Sequence, residues 1–200
     1  MRRLREAFGR RSRVISTVNP ARQRGAAAVE VAICLPLLAT IFTGIADYGM
    51  AFNASRQIGT AASAGARQGA AAGIDRLADY AVLRTLQGAL ANQGDVQKIV
   101  VYKSSGTGKA PTACLTNSIS GVCNTYLGSV LTTLNVSNFN HTNCVGDLDA
   151  SWCPTTRNTA FTANQYLGVA VVVHRNSVFA SLGADQITRN VSFRLEVRAQ

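Results

Sequence analysis

The residues best equipped for chemistry in this chain are one carboxylate and four thiols. Glu30 stands five residues after Gly25, within RQRGAAAVEVAICLPLLATIF, a run from Arg22 to Phe42 that is apolar beyond its basic start. A carboxylate at the centre of a membrane helix costs about 2.5–3.5 kcal/mol and less near an interface, so Glu30 either snorkels from the edge of the run or pairs with a cation. Cys114, Cys123, Cys144 and Cys153 form C-x8-C twice over, and Cys34 sits apart in the apolar run. Structural zinc sites use pairs closer in sequence, so an even set of cysteines in a non-cytosolic domain points to two disulfides rather than a metal. Sequence leaves the connectivity open; the local pairs Cys114–Cys123 and Cys144–Cys153 are favoured because short loops close most readily. Cys34 needs no role beyond packing.

The element that must position Glu30 is a helix. Ala26 to Ala46 is 21 residues, which as a helix covers roughly 30 Å, the thickness of a hydrocarbon core. Glu30 and Asp47 bracket 16 uncharged residues, so both carboxylates belong towards the edges of one membrane crossing. Pro36 removes the donor that would reach Ala32 and predicts a kink. Eight of the twenty basic residues lie between Arg2 and Arg24, opposed only by Glu6, whereas from Ala26 onward twelve face nine acidic ones. A basic tail before an apolar run is held in the cytoplasm by the positive-inside bias. It lacks the interleaved aromatics and folded basic face of a nucleic-acid binder, and no nucleic-acid partner is expected.

The combination RG, AAAVE and an apolar stretch resembles the processing site of type IV pilin-like precursors. More narrowly, GAAAVEVAICLPLLATIFTGIADYGMAFNASRQIGTAASAGARQGA resembles the TadE-like minor pseudopilins of the Tad (Flp) pilus assembly system, over about residues 22 to 70. The resemblance implies cleavage after Gly25 by a prepilin peptidase at the cytoplasmic face, Ala26 as the new N-terminus, and Glu30 as the fifth mature residue, which helps dock the subunit into an assembly. The new ammonium at Ala26 would lie one helical turn from Glu30, and a carboxylate in an apolar setting is tolerable when paired. KAPTACL, GVCNTYLG, SWCPTTR, YLGVAVVVHR and the closing FRLEV resemble, more loosely, the exported part of actinobacterial members.

Beyond the span, ADYGMAFNASRQIGTAASAGARQGAAAG predicts helix, with Ala61, Gly65, Gly69 and Gly73 repeating every four residues along one side so that another helix can approach. The alternative is a Gly/Ala stretch that frays. Asp75 is positioned to cap a second helix carrying Leu77, Ala81, Leu86 and Leu90, and Gly94 to end it. Strands are expected at Val96–Tyr102, at YLGVAVVVHR, and where Val191, Phe193, Leu195 and Val197 alternate with polar residues. NSVFASLGADQ reads as a short helix or turn, and residues 104–164 as a loop stapled by the cysteines.

No nucleophile motif, phosphate loop or metal set appears. His141 and His174 are too few and too far apart in sequence for a metal set and read as solvated surface residues. No cofactor is expected, and the chain is read as a non-enzyme. The N-x-S/T triplets at Asn53, Asn135, Asn140 and Asn190 read as chance.

The expected fold is α+β: a transmembrane helix extended into an Ala/Gly-rich helix, packed on a small antiparallel sheet with a disulfide-stapled loop. The boundaries are a basic cytoplasmic leader at 1–25, the span at 26–46, a helical stalk and packing helix at 47–94, and an exported β-rich domain at 95–200. The implied partners are the membrane, a prepilin peptidase, other pilins and Tad assembly proteins. The implied place is the bacterial cytoplasmic membrane, with the N-terminus cytoplasmic, the C-terminal domain outside, and incorporation into a surface pilus open. Alternatives are an unprocessed anchored binding module and a secreted enzyme. The last needs a signal cleavage after Gly44-Ile45-Ala46, against which stand Glu30 and the long leader; a twin-arginine reading of GRRSRVIS fails because Arg22 and Arg24 intervene before the apolar core.

Overall fold

The computed structural model describes residues 20–91, 94–104, 108–141, 143–159, 165–174 and 186–195. The basic leader up to residue 19, NSVFASLGADQ except its final Gln186, and Val197 lie outside them. The chain forms two compact units, Met1–Gly44 and Ile45–Gln200.

Helix α1 runs Pro20–Ala72. Proline suits a first helical position, where the missing N–H has no partner to lose, and Pro36 lies within the same helix. In the first unit the apolar side chains Val29, Val31, Ile33, Leu35, Leu37, Leu38, Ile41 and Phe42 are all more than half exposed. Thr40 and Thr43 turn their hydroxyls back to Leu37 O and Ala39 O at 2.8 and 2.7 Å, leaving an almost purely apolar outer surface. α1 contains one helix stretch long and apolar enough to cross a membrane.

In the second unit, the remainder of α1 buries its small residues. Ala61, Ala62, Ala66 and Ala70 face inward with Ile58. A Cβ on Gly65 would stand 3.2 Å from Leu86 Cγ, and one on Gly69 would stand 2.6 Å from Val82 Cγ2 and 3.1 Å from Leu167 Cδ2. Gly73 acts through its backbone instead, ending the helix at φ +59° with its N–H donating to Gly69 O at 3.1 Å. Asp75 Oδ1 accepts from Leu77 N at 2.8 Å, and α2 begins after this turn, spanning Ala78–Leu90. Its buried stripe is Val82, Leu83, Leu86 and Leu90, while Ala81 is only half-buried.

The sheet has four antiparallel strands, β1 Asp95–Ser104, β2 Cys123–Leu127, β3 Tyr166–His174 and β4 Gln186–Arg194, in the order β2-β1-β3-β4. Ile99, Val101, Leu167, Val169, Val171 and Val173 pack with the helices. Val100, Tyr102 and Ala170 join Cys114, Cys123 and half-buried Leu115, Ile119 and Val122 in a second cluster. Both faces of the sheet centre are therefore covered, which explains why β3 is buried from Leu167 to Val173 rather than on alternate residues.

The segment at 104–164 is not simply a loop. Ser104 belongs to β1, β2 lies inside it, and short 3-10 turns form at Thr112–Leu115, Gly128–Leu131, Val136–Phe139, Ala150–Trp152 and Pro154–Thr156. At five residues β2 is too short to display a clear alternation. It is placed by pairing with Lys98–Tyr102 of β1 and by the disulfide at its first residue. β4 starts at Gln186, ahead of the alternation at Val191, because its register with β3 continues through Ile187 and Arg189.

Two helical glycines separate packing from propensity. Gly69→Ala should destabilise by about 1–3 kcal/mol through overpacking against Val82. Gly88→Ala in α2, where a Cβ meets nothing within 4 Å, should stabilise by about 0.5–1 kcal/mol. Thermal melting of both variants against the parent chain checks the opposite signs.

Candidate functional site

Two groups of residues have functional character. The first is the start of α1. Gly25 is exposed and a Cβ there would meet nothing within 4 Å. Glu30 is also exposed, one turn along the helix from Ala26, a rise of about 6 Å. Neighbouring Val29, Val31 and Ile33 project freely, so the only carboxylate of this stretch stands on a surface otherwise made of hydrocarbon. Cys34, four residues on, is a free thiol and exposed.

The second is a buried polar network in the second unit. Asp79, on the first turn of α2, is fully buried. Its Oδ1 accepts from Arg157 Nη2 at 2.6 Å, and its Oδ2 accepts from Asn124 Nδ2 at 2.8 Å and from Tyr126 Oη at 2.7 Å. Asn124 also reads the backbone of Trp152, donating to its carbonyl at 2.9 Å and accepting from its N–H at 2.7 Å. Arg157 donates to the same carbonyl at 3.2 Å, and its guanidinium lies 4.2 Å from the Trp152 ring centre. Burial, followed by the nearby Asp79 charge, pushes the Tyr126 hydroxyl well above its ordinary pKa, so it remains a donor.

This arrangement knots α2, β2 and the turns after Asp149 together. Removing one member of such a pair costs about 3–5 kcal/mol, because the other charge is left in the interior. Phe139 packs over the knot, tilted against both Tyr80 and Tyr126.

Disulfides join Cys114 to Cys123 and Cys144 to Cys153. Each closes a short loop worth about 2–3 kcal/mol on the chain-entropy account. Beside the second bridge, Asp147 accepts from His141 through both Nδ1 at 2.5 Å and the backbone N–H at 2.9 Å. Asp149 is fully buried, and its pKa is raised from 3.8 to about 7, by burial first and the negative charge of Asp79 second, with Arg157 opposing.

The four cysteines form two bridges, and Gly65 and Gly69 lie close to Leu86, Val82 and Leu167; the sequence reading passes over Asp79, Asn124, Tyr126, Asp149 and Arg157. One signal for Asp79 was present. It stands three, four and seven residues before Val82, Leu83 and Leu86, a lone charge on the apolar stripe of an amphipathic helix.

The chain thus carries a long exposed apolar helix and a disulfide-bonded α+β unit. Residues 25–67, less than a quarter of the chain, match the family model described as TadE-like protein. No curated protein and no solved structure matches the chain.

Asp149 gives a pH dependence with a definite sign. Its folded pKa lies above the ordinary value, so the folded state holds the proton more tightly than the unfolded one. The stability it lends is complete below about pH 4 and is lost as pH rises through about 7. In buffer stripped of divalent cations, Asp149→Asn should melt above the parent chain at pH 8, and the difference should shrink towards zero near pH 4.

Proposed function

We propose that this chain is a pseudopilin that acts in the assembly of a Tad-type surface pilus. Gly25 is the residue before the cut, Ala26 the mature N-terminus and Glu30 the docking carboxylate. The observation that carries this reading is the TadE-like match over residues 25–67, which starts at Gly25 and covers the exposed apolar part of α1.

The chemistry supports the same roles. A peptidase working at a membrane face needs a small residue before the scissile bond and a backbone it can unwind. Gly25 supplies both, since glycine weakens a helix by about 1 kcal/mol relative to alanine. Cleavage then creates an ammonium at Ala26, one turn from Glu30. In hydrocarbon that pair, within a subunit or between neighbours, neutralises two charges that are each costly alone.

The arrangement implies residues 1–25 as a cytoplasmic leader, a single crossing by 26–46, a helical part over 47–94 and an extracytoplasmic domain over 95–200. The positive-inside bias orients it, and the disulfides suit an oxidising compartment. Its partners are a prepilin peptidase, the other pilins and the assembly proteins of the membrane; its contribution is structural rather than catalytic.

The test uses two variants in cells containing the matching peptidase and pilins. Gly25→Leu should remain uncut when its N-terminus is sequenced. Glu30→Leu should be inserted and cut normally but fail to enter pili or co-purify with other pilins, since an ammonium without its partner costs about 3–5 kcal/mol when buried. Normal assembly by a correctly cut Glu30→Leu chain would refute the pairing role, and an intact N-terminus in the parent chain would leave an unprocessed anchored binding module.

A further inference from the structure

Asp147 and Asp149 bring two carboxylates together beside the Cys144–Cys153 bridge, with an oxygen of each and Cys144 Sγ all within 4.8 Å of one another. Two nearby aspartates alone signify little. What distinguishes this pair is that Asp149 is fully buried and neither of its carboxylate oxygens has a hydrogen-bond partner among the described residues. An interior carboxylate left in that state is strongly unfavourable.

The charge of Arg157 acts on Asp149 from nearby but makes no hydrogen bond to it, and Arg157 Nε and Nη1 also lack partners among the described residues. Arg157 directs Nη2 to Asp79 and to the Trp152 carbonyl. Asp147 is occupied by His141, but each of its oxygens keeps a second lone pair. Of the buried carboxylates here, Asp79 pairs with Arg157 and Asp147 with His141, so Asp149, when ionised, is the one without an ion-pair partner among the described residues. A water could satisfy hydrogen bonds but would not balance that charge.

We propose that the Cys144–Asp149 turn binds one calcium ion, with Asp147 and Asp149 as its carboxylate ligands. The donor set is hard oxygen, and the neighbouring sulfur is committed to the disulfide, which removes the thiolate that zinc or copper would select. Magnesium demands near-ideal octahedral geometry and gives up its water reluctantly, whereas calcium accepts flexible sets of oxygens, which suits two carboxylates of one turn. Backbone carbonyls of the turn and water complete the coordination. With only two carboxylates the affinity falls in the weak range, a Kd on the order of 10⁻⁴–10⁻³ M. The bound ion ties the second disulfide to Trp152 and, through Arg157 and Asp79, to α2.

Trp152 is the sole tryptophan of the chain, so it reports on this site. The full-length chain in detergent, treated with EDTA and dialysed, is titrated with calcium chloride while its melting is followed by Trp152 fluorescence. Terbium is titrated in parallel and excited through the indole. A tenfold excess of calcium over Kd should raise the melting temperature by roughly 3–6 °C. Asp149→Asn and Asp147→Asn should each lose that shift, and Trp152-sensitised terbium emission should appear and be displaced by calcium. The absence of both the shift and the emission in the parent chain would overturn the site and leave Asp149 holding a proton or a water only. A shift that survives in both Asn variants would place the ion elsewhere, and an equal shift with magnesium chloride would overturn the choice of calcium. If an Asn variant fails to fold, the terbium signal in the parent chain decides, because sensitised emission requires the ion to sit close to Trp152.

Discussion

The ion pair between Asp79 and Arg157 is the constraint on which the fold of the second unit turns. Neither side chain is accessible to water, so each charge is tolerable only while the other is in place. Their separation of 78 residues means that α2 and the turn after the second disulfide must be brought together before either is secure. Asn124 and Tyr126 complete the shell around Asp79, which fixes the position of β2 at the sheet edge. A short strand in a polar segment thereby acquires a unique place. Hydrophobic packing alone, being non-directional, would leave its register weakly specified.

Around that knot the apolar packing is built by small residues. The inward face of α1 in the second unit carries Ala61, Ala62, Gly65, Ala66, Gly69 and Ala70, so Val82 and Leu86 of α2 and Leu167 of β3 approach its backbone directly. On the far side of the sheet, Tyr102 lies across Gly168, its strand-register partner, where a Cβ would fall 2.2 Å from the ring. Its hydroxyl reaches Gly108 O at 2.7 Å, tying the cover of that face to β1. The Cys114–Cys123 disulfide belongs to the same layer, so the crosslink restrains the unfolded chain and contributes to the core as well.

The two units answer to different solvents. The first exposes a continuous hydrocarbon surface interrupted by Glu30, which suits lipid or the apolar flank of another helix. The second buries an apolar core and sets a buried ion pair, Asp79 with Arg157, inside it, although Ile45, Tyr48, Met50 and Phe52 near its start stay exposed. A proposed role in pilus assembly uses both properties: an apolar helix for insertion and lateral packing, and a crosslinked unit that keeps its form outside the membrane.

What the sequence determined by itself was local or compositional. The apolar run, its flanking charges and the position of Glu30 after Gly25 need no tertiary information, because a bilayer reads hydrophobic length directly. The number and spacing of the cysteines pointed to disulfides, and the β-branched runs of β1 and β3 were legible because a well-covered strand is apolar over most of its length. Only the tertiary structure decided the rest. β2 owes its existence to a partner strand and a crosslink, Gly73 proved to be a helix end because its φ is positive, and Asp79, Asn124, Tyr126 and Arg157 form a unit because folding joins residues far apart in the chain. A polar side chain announces in sequence that it must be satisfied when buried; which distant group satisfies it is settled only by the path of the backbone.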